Sequence, residues 1–150
     1  MKTLLNTGER EEIVHRMAKL RPDLQRHWGI MTVGQMVCHL NDSFRFLFGE
    51  KDVQPVHNLL TRTALKWAAL WLPLQWRHGF PTRPEFDQQK GGTAPKEFAA
   101  DVSDLRTLFD RFCAAEAKPH THPVFGRMSQ ADSMRLAYLH MDHHFRQFGI

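Results

Sequence analysis

Apolar residues recur every three or four positions in four separate segments of this chain, and this spacing is typical of helices packed around a shared core. The four segments run from about residue 9 to 20, from 32 to 49, from 95 to 116 and from 129 to the C-terminus. A fifth, aromatic-rich helix is predicted between residues 56 and 72, and no segment shows a convincing strand pattern. We therefore predict an all-α fold in which residues 1–150 form a single four-helix bundle. A crossover connection, with an inserted helix and a long loop, would join its second and third helices.

Two of the predicted helices carry clear start signals. Thr32 with Gln35, and Ser129 with Asp132, match capping boxes, in which two side chains bond the free amides of a first helical turn. The last two helices also show continuous apolar faces that should point into the core. These faces comprise Phe98, Val102, Leu105, Leu108, Phe109 and Phe112, followed by Met134, Ala137, Tyr138, Met141, Phe145 and Phe148.

Composition excludes several classes of protein. The net charge is +4, but the Lys and Arg residues are scattered, so we expect no nucleic-acid partner. No apolar run reaches the roughly 7–15 residues of a signal peptide or the roughly 18 of a membrane span, which predicts a cytoplasmic protein without a membrane partner. The two cysteines, Cys38 and Cys113, lie in apolar helical stretches and are interpreted as small buried residues in a reducing compartment.

Histidine is unusually frequent, with ten residues in 150, and three of them suggest a metal site. His140 and His144 are one helical turn apart and share a face of the last helix. His39 lies on the core side of the second helix. Alone, the pair could arise by chance, and a lone core histidine is usually bonded to a carbonyl. Three imidazoles from two facing helices, however, make an open metal site. Zn²⁺ or Ni²⁺ is favoured, with Fe, Mn and Cu as alternatives.

Four polar residues near these histidines are candidates for orienting a ligand imidazole or accepting a proton. Gln35 and Asp42 lie about one turn either side of His39, and Asp142 and Gln147 lie on the last helix. The alternative interpretation is that they are ordinary helix-surface groups. His143, which is adjacent to His144, is assigned either to the surroundings of the site or to the surface.

Two further features leave alternatives open. The sequence His120-Thr-His122 is either a short metal-binding cluster or, as we favour, a loop that sets the entry of the last helix. The residues Trp67, Trp71 and Trp76 either line a ligand pocket or partner surface, or belong to the core.

Three stretches of this chain match a known family in order. They run from Trp28 to His39, from His122 to Gly126 and from His140 to Gly149. In these stretches the chain resembles the DinB-like superfamily, and more closely an uncharacterised bacterial subgroup within it. The resemblance implies a four-helix bundle with a crossover and a divalent metal bound by His39, His140 and His144. Characterised members include enzymes that add bacillithiol or glutathione to electrophiles, and a mycothiol-dependent isomerase.

Three functional hypotheses follow for a small-molecule substrate. The first is a metal-dependent transferase that joins a low-molecular-weight thiol to an electrophile. The basic crossover residues would then bind the carboxylates of that thiol; they are Arg77, His78, Arg83 and Lys90. The second is a metal-dependent hydrolase with Asp42 or Asp142 as the base. The third is a non-enzymatic, metal-stabilised stress-response or interaction protein. A homodimer is compatible with each hypothesis.

Overall fold

The computed structural model describes residues 1–72, 75–79, 81–114 and 120–150 of this chain, without the side chain of His120. Within these residues the α-helices are α1 (Thr7–Met17), α2 (Val33–Leu47), α3 (Lys66–Trp71), α4 (Phe98–Ala114) and α5 (Gln130–Gln147). A π-helical turn, Thr61–Leu65, leads into α3, and a 3₁₀ turn, Pro84–Phe86, lies in the crossover. The predominance of helix confirms the predicted all-α class.

The four longer helices, α1, α2, α4 and α5, enclose one hydrophobic core. Helix α2 packs on α4, and α1 lies against both α4 and α5. The apolar faces predicted for α4 and α5 are confirmed, since all twelve residues are buried in this core or packed against it. Helix α1 ends at Met17, before the predicted end at residue 20. Leu20 nevertheless packs against the core from the turn that follows.

Both predicted capping boxes are present in the structure. The hydroxyl of Thr32 accepts the amide of Gln35, while the Gln35 side chain accepts the amide of Thr32 at 2.8 Å. Ser129 and Asp132 make the same reciprocal pair of bonds. These caps fix the first turns of α2 and α5, which are the two helices that carry the candidate metal ligands.

A short antiparallel hairpin precedes α5, and here the prediction of a strand-free chain was wrong. Strands β1 (His120–His122) and β2 (Gly126–Met128) pair with His122 opposite Gly126. The ring of His122 accepts the amides of Val124 and Phe125 at 3.2 and 3.1 Å and so closes the turn between the strands. Strands of three residues are too short for side-chain alternation to reveal them in a sequence.

The inserted helical segment lies against the start of α5. Lys66 pairs with Asp132 at 2.7 Å, and the Arg135 guanidinium donates to the carbonyl of Leu70 at 2.8 Å. Leu70 is buried, whereas Trp67 is largely exposed and therefore does not belong to the core. Among the described residues, every helix is too short or too polar to span a lipid bilayer.

Part of the crossover forms a compact loop between residues 84 and 93. The amide of Gly91 donates to the carbonyl of Pro84 at 2.9 Å, and the amide of Gly92 donates to that of Asp87 at 2.9 Å. A Cβ atom at Gly92 would lie 2.9 Å from the Asp87 carbonyl oxygen, so the loop requires glycine there. This loop places Phe86 beside α2.

Candidate metal centre

Three imidazoles meet between α2 and α5. Nε2 of His140 lies 2.9 Å from Nε2 of His39 and 3.2 Å from Nε2 of His144. The three ring centroids form a nearly equilateral triangle with sides of 4.8 to 4.9 Å. The three histidines singled out in the sequence are therefore brought together in one cluster of potential metal ligands.

The hydrogen bond at Nδ1, the ring nitrogen that does not face His140, determines the tautomer of His39. Nδ1 of His39 lies 2.9 Å from the carbonyl oxygen of Phe86. Because a carbonyl oxygen can only accept, Nδ1 carries the proton and donates it. Nε2 of His39 then has a free lone pair that points at His140.

His144 is held in the same tautomer by a side-chain amide. Nε2 of Gln147 donates to the carbonyl of Trp28 at 2.9 Å, so Oε1 of Gln147 is left to accept from Nδ1 of His144, also at 2.9 Å. Gly29 allows this arrangement. It has a φ of 78°, and a Cβ there would lie 2.6 Å from the Gln147 amide nitrogen. The lone pair of His144 Nε2 therefore also faces the cluster.

The donor set fits a divalent metal ion better than it fits hydrogen bonding alone. The Nε2 atoms of His39 and His144 both act as acceptors, and Nε2 of His140 has only one proton to share between them. A metal ion, by contrast, accepts all three lone pairs. In tetrahedral zinc sites with Zn–N bonds of about 2.0–2.1 Å, neighbouring nitrogens lie about 3.3 Å apart. The two separations at His140, 2.9 and 3.2 Å, lie slightly below that value, and the ligand atoms of all three histidines lie within 4.8 Å of one another.

The surroundings keep these imidazoles neutral. Burial lowers the pKa of His39, although its bond to Phe86 and the charge of Asp42 act in the opposite direction. Burial and the neighbouring imidazoles lower the pKa values of His140 and His144 well below the usual 6.5. Only the neutral form of histidine binds a metal, so the cluster offers ligands ready for binding at neutral pH.

We expect the metal-free protein to lose stability as the pH falls below 6.5. The unfolded chain takes up protons on these histidines near the usual pKa, whereas the folded cluster resists protonation, so acid favours unfolding. The slope approaches roughly 1.4 kcal/mol per pH unit for each histidine held neutral. Urea unfolding at about pH 7.5 and about pH 5.5 measures the difference.

The control for this titration is the double variant His140→Gln/His144→Gln, which should show a flatter dependence on pH. Equal stability of the wild type at both pH values would contradict the account.

Among the hydrogen bonds of the described residues, only one of the four nearby polar candidates bonds the ring of a cluster histidine. Gln147 bonds His144, as described above, whereas Gln35 completes the cap of α2. The carboxylate of Asp142 pairs with Arg16 and Arg146 at 2.7 and 2.9 Å. The carboxylate of Asp42 is bonded to the crossover.

Two of the four basic crossover residues that were expected to bind the carboxylates of a thiol have carboxylate partners within the crossover. Arg83 donates to the Gln54 carbonyl and to Glu85 at 2.9 and 2.6 Å, and Lys90 pairs with Asp87 at 3.1 Å. Arg77 is exposed, and His78 stacks on a tryptophan ring. Since Arg83 and Lys90 already have carboxylate partners, they are poor sites for a second carboxylate.

Four aromatic rings form a wall beside the cluster; we define it as Trp28, Trp76, His78 and His143. The sequence offered Trp76 as a pocket residue and His143 as a neighbour of the site, whereas the stacking of Trp28 on His78 had no sequence signal. Trp28 and His78 stack with centroids 3.9 Å apart, and Trp76 lies 6.2 Å from the His140 ring. His143 contacts the other three rings of the wall. Trp28 Nε1 and His143 Nδ1 are buried without a hydrogen-bond partner in the described part of the chain. Trp76 also lines a cavity of about 140 Å³ together with Arg135 and Arg146.

Neither cysteine belongs to the cluster. Cys38 is buried in α2, and Cys113 is partly buried in α4. Burial raises the pKa of the Cys38 thiol to about 12 and that of Cys113 to about 11. Both thiols therefore favour the protonated form at neutral pH, the opposite of the shift found at reactive cysteines.

The fold and the site together define a helical protein with a convergent three-histidine cluster. The chain matches the family model described as "Protein of unknown function (DUF1569)" over residues 2–149, and it belongs to that family. A search of the curated proteins finds no match, and a search of the solved structures finds none either.

Proposed function

We propose that this protein is a metal-dependent enzyme whose single divalent ion is held by His39, His140 and His144. The observation that carries the proposal is the convergence of three Nε2 atoms, two of which are fixed as lone-pair donors by their outer hydrogen bonds. The resemblance to the DinB-like superfamily in the same three histidines supports it. A cytoplasmic location and a small-molecule substrate are part of the same proposal.

The residues of this chain prepare the centre in two ways. The Phe86 carbonyl and the Gln147 amide orient the rings of His39 and His144, so both rings already hold the tautomer that binds a metal through Nε2. Three protein ligands also leave a coordination position free for a substrate. A divalent ion bound in this way lowers the pKa of a thiol or of water and polarises oxygen atoms.

The reaction that we propose is transfer of a low-molecular-weight thiol to a small electrophile. The thiol proton passes to solvent, and the sulfur forms a bond to the electrophilic carbon. With a halide substrate the carbon–halogen bond breaks and the halide leaves to solvent; with an epoxide or activated alkene the carbon–oxygen or carbon–carbon π bond breaks, and the resulting anion takes a proton from solvent. This reaction needs no protein carboxylate as base. The alternative of hydrolysis had assigned that role to Asp42 or Asp142, and both carboxylates are engaged in other contacts.

A conjugation assay tests this function. Protein loaded with Zn²⁺ or Ni²⁺ is mixed with glutathione, bacillithiol or mycothiol and with a panel of chromogenic aryl halides and fluorogenic alkylating reagents. We expect conjugation above the buffer rate with at least one thiol, and none above it in a His140→Ala variant. The metal-free protein should behave like that variant.

Equal conjugation rates for metal-loaded and metal-free protein would contradict the transferase proposal. Turnover of ester or amide substrates by the loaded protein alone would indicate the hydrolase instead. A metal-dependent rise in melting temperature without any turnover would favour a metal-stabilised, non-enzymatic protein.

A further inference from the structure

Asp42 is a buried charge that the metal cluster itself does not use. It lies on α2, one turn beyond His39, and only 1% of it is exposed. A buried carboxylate destabilises a fold unless its oxygens are well bonded, so its partners indicate what it does.

Those partners lie mainly in the crossover. Oδ2 of Asp42 accepts the amide of Thr93 at 2.8 Å, and Oδ1 accepts the hydroxyl of Thr93 at 2.7 Å. The Gln88 amide and the Lys51 ammonium each approach Oδ2 at 3.4 Å. Asp42 therefore anchors the compact crossover loop to α2.

The anchor acts on the loop that carries the Phe86 carbonyl. The bonds from Gly91 to Pro84 and from Gly92 to Asp87 tie the two ends of the loop together, so Thr93 and Phe86 belong to one hydrogen-bonded unit. On α2, His39 and Asp42 share a face and contact the two ends of this unit. Release of Thr93 would therefore also free the Phe86 carbonyl from His39.

We infer that Asp42 is a positioning residue for the metal centre: by docking the crossover through Thr93, it holds the Phe86 carbonyl against Nδ1 of His39. The inference rests on the proposed metal site and extends it to a residue whose described hydrogen bonds go to the crossover and not to a metal ligand. By reciprocity, metal binding and crossover docking stabilise each other.

The test compares Asp42→Ala with Asp104→Ala. Asp104 is a matched control because it pairs with Arg45, as Asp42 does, but it is exposed and has no hydrogen bond or ion pair to the crossover among the described residues. Zn²⁺ affinity is measured by competition with a chelator. Asp42→Ala should lower it by about 10–100-fold, the usual effect of losing an outer hydrogen-bond partner of a ligand, and Asp104→Ala should leave it unchanged.

A second readout uses metal-free protein. Long-range ¹H–¹⁵N spectra of the imidazoles should place the His39 proton on Nδ1 in the wild type and in Asp104→Ala. In Asp42→Ala, the population with the proton on Nε2 should rise. A residue that only stabilised the fold would not change this tautomer.

Two milder changes keep the test decisive if Asp42→Ala fails to fold. Thr93→Val removes one donor to Asp42 and should weaken Zn²⁺ binding, whereas Thr93→Ser keeps the hydroxyl and should restore it. Asp42→Asn, which retains one acceptor oxygen, should fall between Asp42→Ala and the wild type.

Wild-type Zn²⁺ affinity and an unchanged His39 tautomer in Asp42→Ala or Thr93→Val would overturn this inference and leave the metal site standing. Failure of the wild type itself to bind metal would instead overturn the proposed function.

Discussion

His140→Ala is expected to lower the affinity for a divalent metal by more than about 100-fold. Nε2 of His140 lies 2.9 Å from Nε2 of His39 and 3.2 Å from Nε2 of His144. Its removal leaves only two of the three candidate ligand nitrogens. Loss of an outer-sphere partner alone typically costs about 10–100-fold, and loss of a direct ligand should exceed that. Chelator competition with Zn²⁺ and Ni²⁺ measures the change.

The matched control for this substitution is His143→Ala. His143 occupies the next turn of the same helix and is partly buried, but it belongs to the aromatic wall and not to the cluster. It should therefore retain metal affinity close to that of the wild type. If His140→Ala bound metal as tightly as His143→Ala, the assignment of His140 as a ligand would be wrong.

Phe109→Ala is expected to destabilise the fold by about 3–5 kcal/mol, the range for truncation of a buried phenylalanine. Phe109 is 1% exposed and makes an edge contact with Phe44 across the α2–α4 interface, with ring centroids 6.4 Å apart. Truncation would leave a cavity where the two helices pack together. Urea unfolding of metal-free protein gives the change in free energy.

Leu59→Ala is the control for the core substitution, since Leu59 is 78% exposed at the start of the inserted segment. Its effect should stay within about 0.5 kcal/mol. A loss below about 1 kcal/mol in Phe109→Ala would mean that the core is not packed as described.

The helical part of the fold could be predicted because its signals are local. The apolar faces of α4 and α5 follow directly from residue spacing, and both capping boxes are short patterns with one physical explanation. The hairpin before α5 could not be predicted in this way. Its three-residue strands are defined by backbone pairing between His120–His122 and Gly126–Met128, which no side-chain pattern records.

The candidate ligands could also be identified from the sequence, because imidazole at helical spacing is a side-chain signal. Their outer partners were less accessible. Gln147 was a candidate, whereas the carbonyls of Phe86 and Trp28 have no signature, since every residue carries a carbonyl. The glycine at position 29 is an indirect sign of the Gln147 contact, because the positive φ of this residue and its closeness to Gln147 both require glycine.

The role of Asp42 shows why position along a helix is insufficient evidence for contact. Its place one turn beyond His39 suggested a direct partner of that ring, yet its oxygens bond Thr93 in a loop that is far away in sequence. The inferred structural link between the two runs through the folded crossover and Phe86. Position along one helix does not reveal the aromatic wall either, since the wall combines Trp28 with Trp76, His78 and His143 from three separate parts of the chain.

The metal content of protein purified without an affinity tag tests the central claim most directly. Elemental mass spectrometry on the wild type, before and after incubation with Zn²⁺ and Ni²⁺, should give close to one ion per chain. The account predicts that this ion is lost in His140→Ala and retained in His143→Ala. A wild type that takes up no divalent metal after reconstitution would show that the three imidazoles are a hydrogen-bonded core cluster, and it would contradict the proposed metal centre.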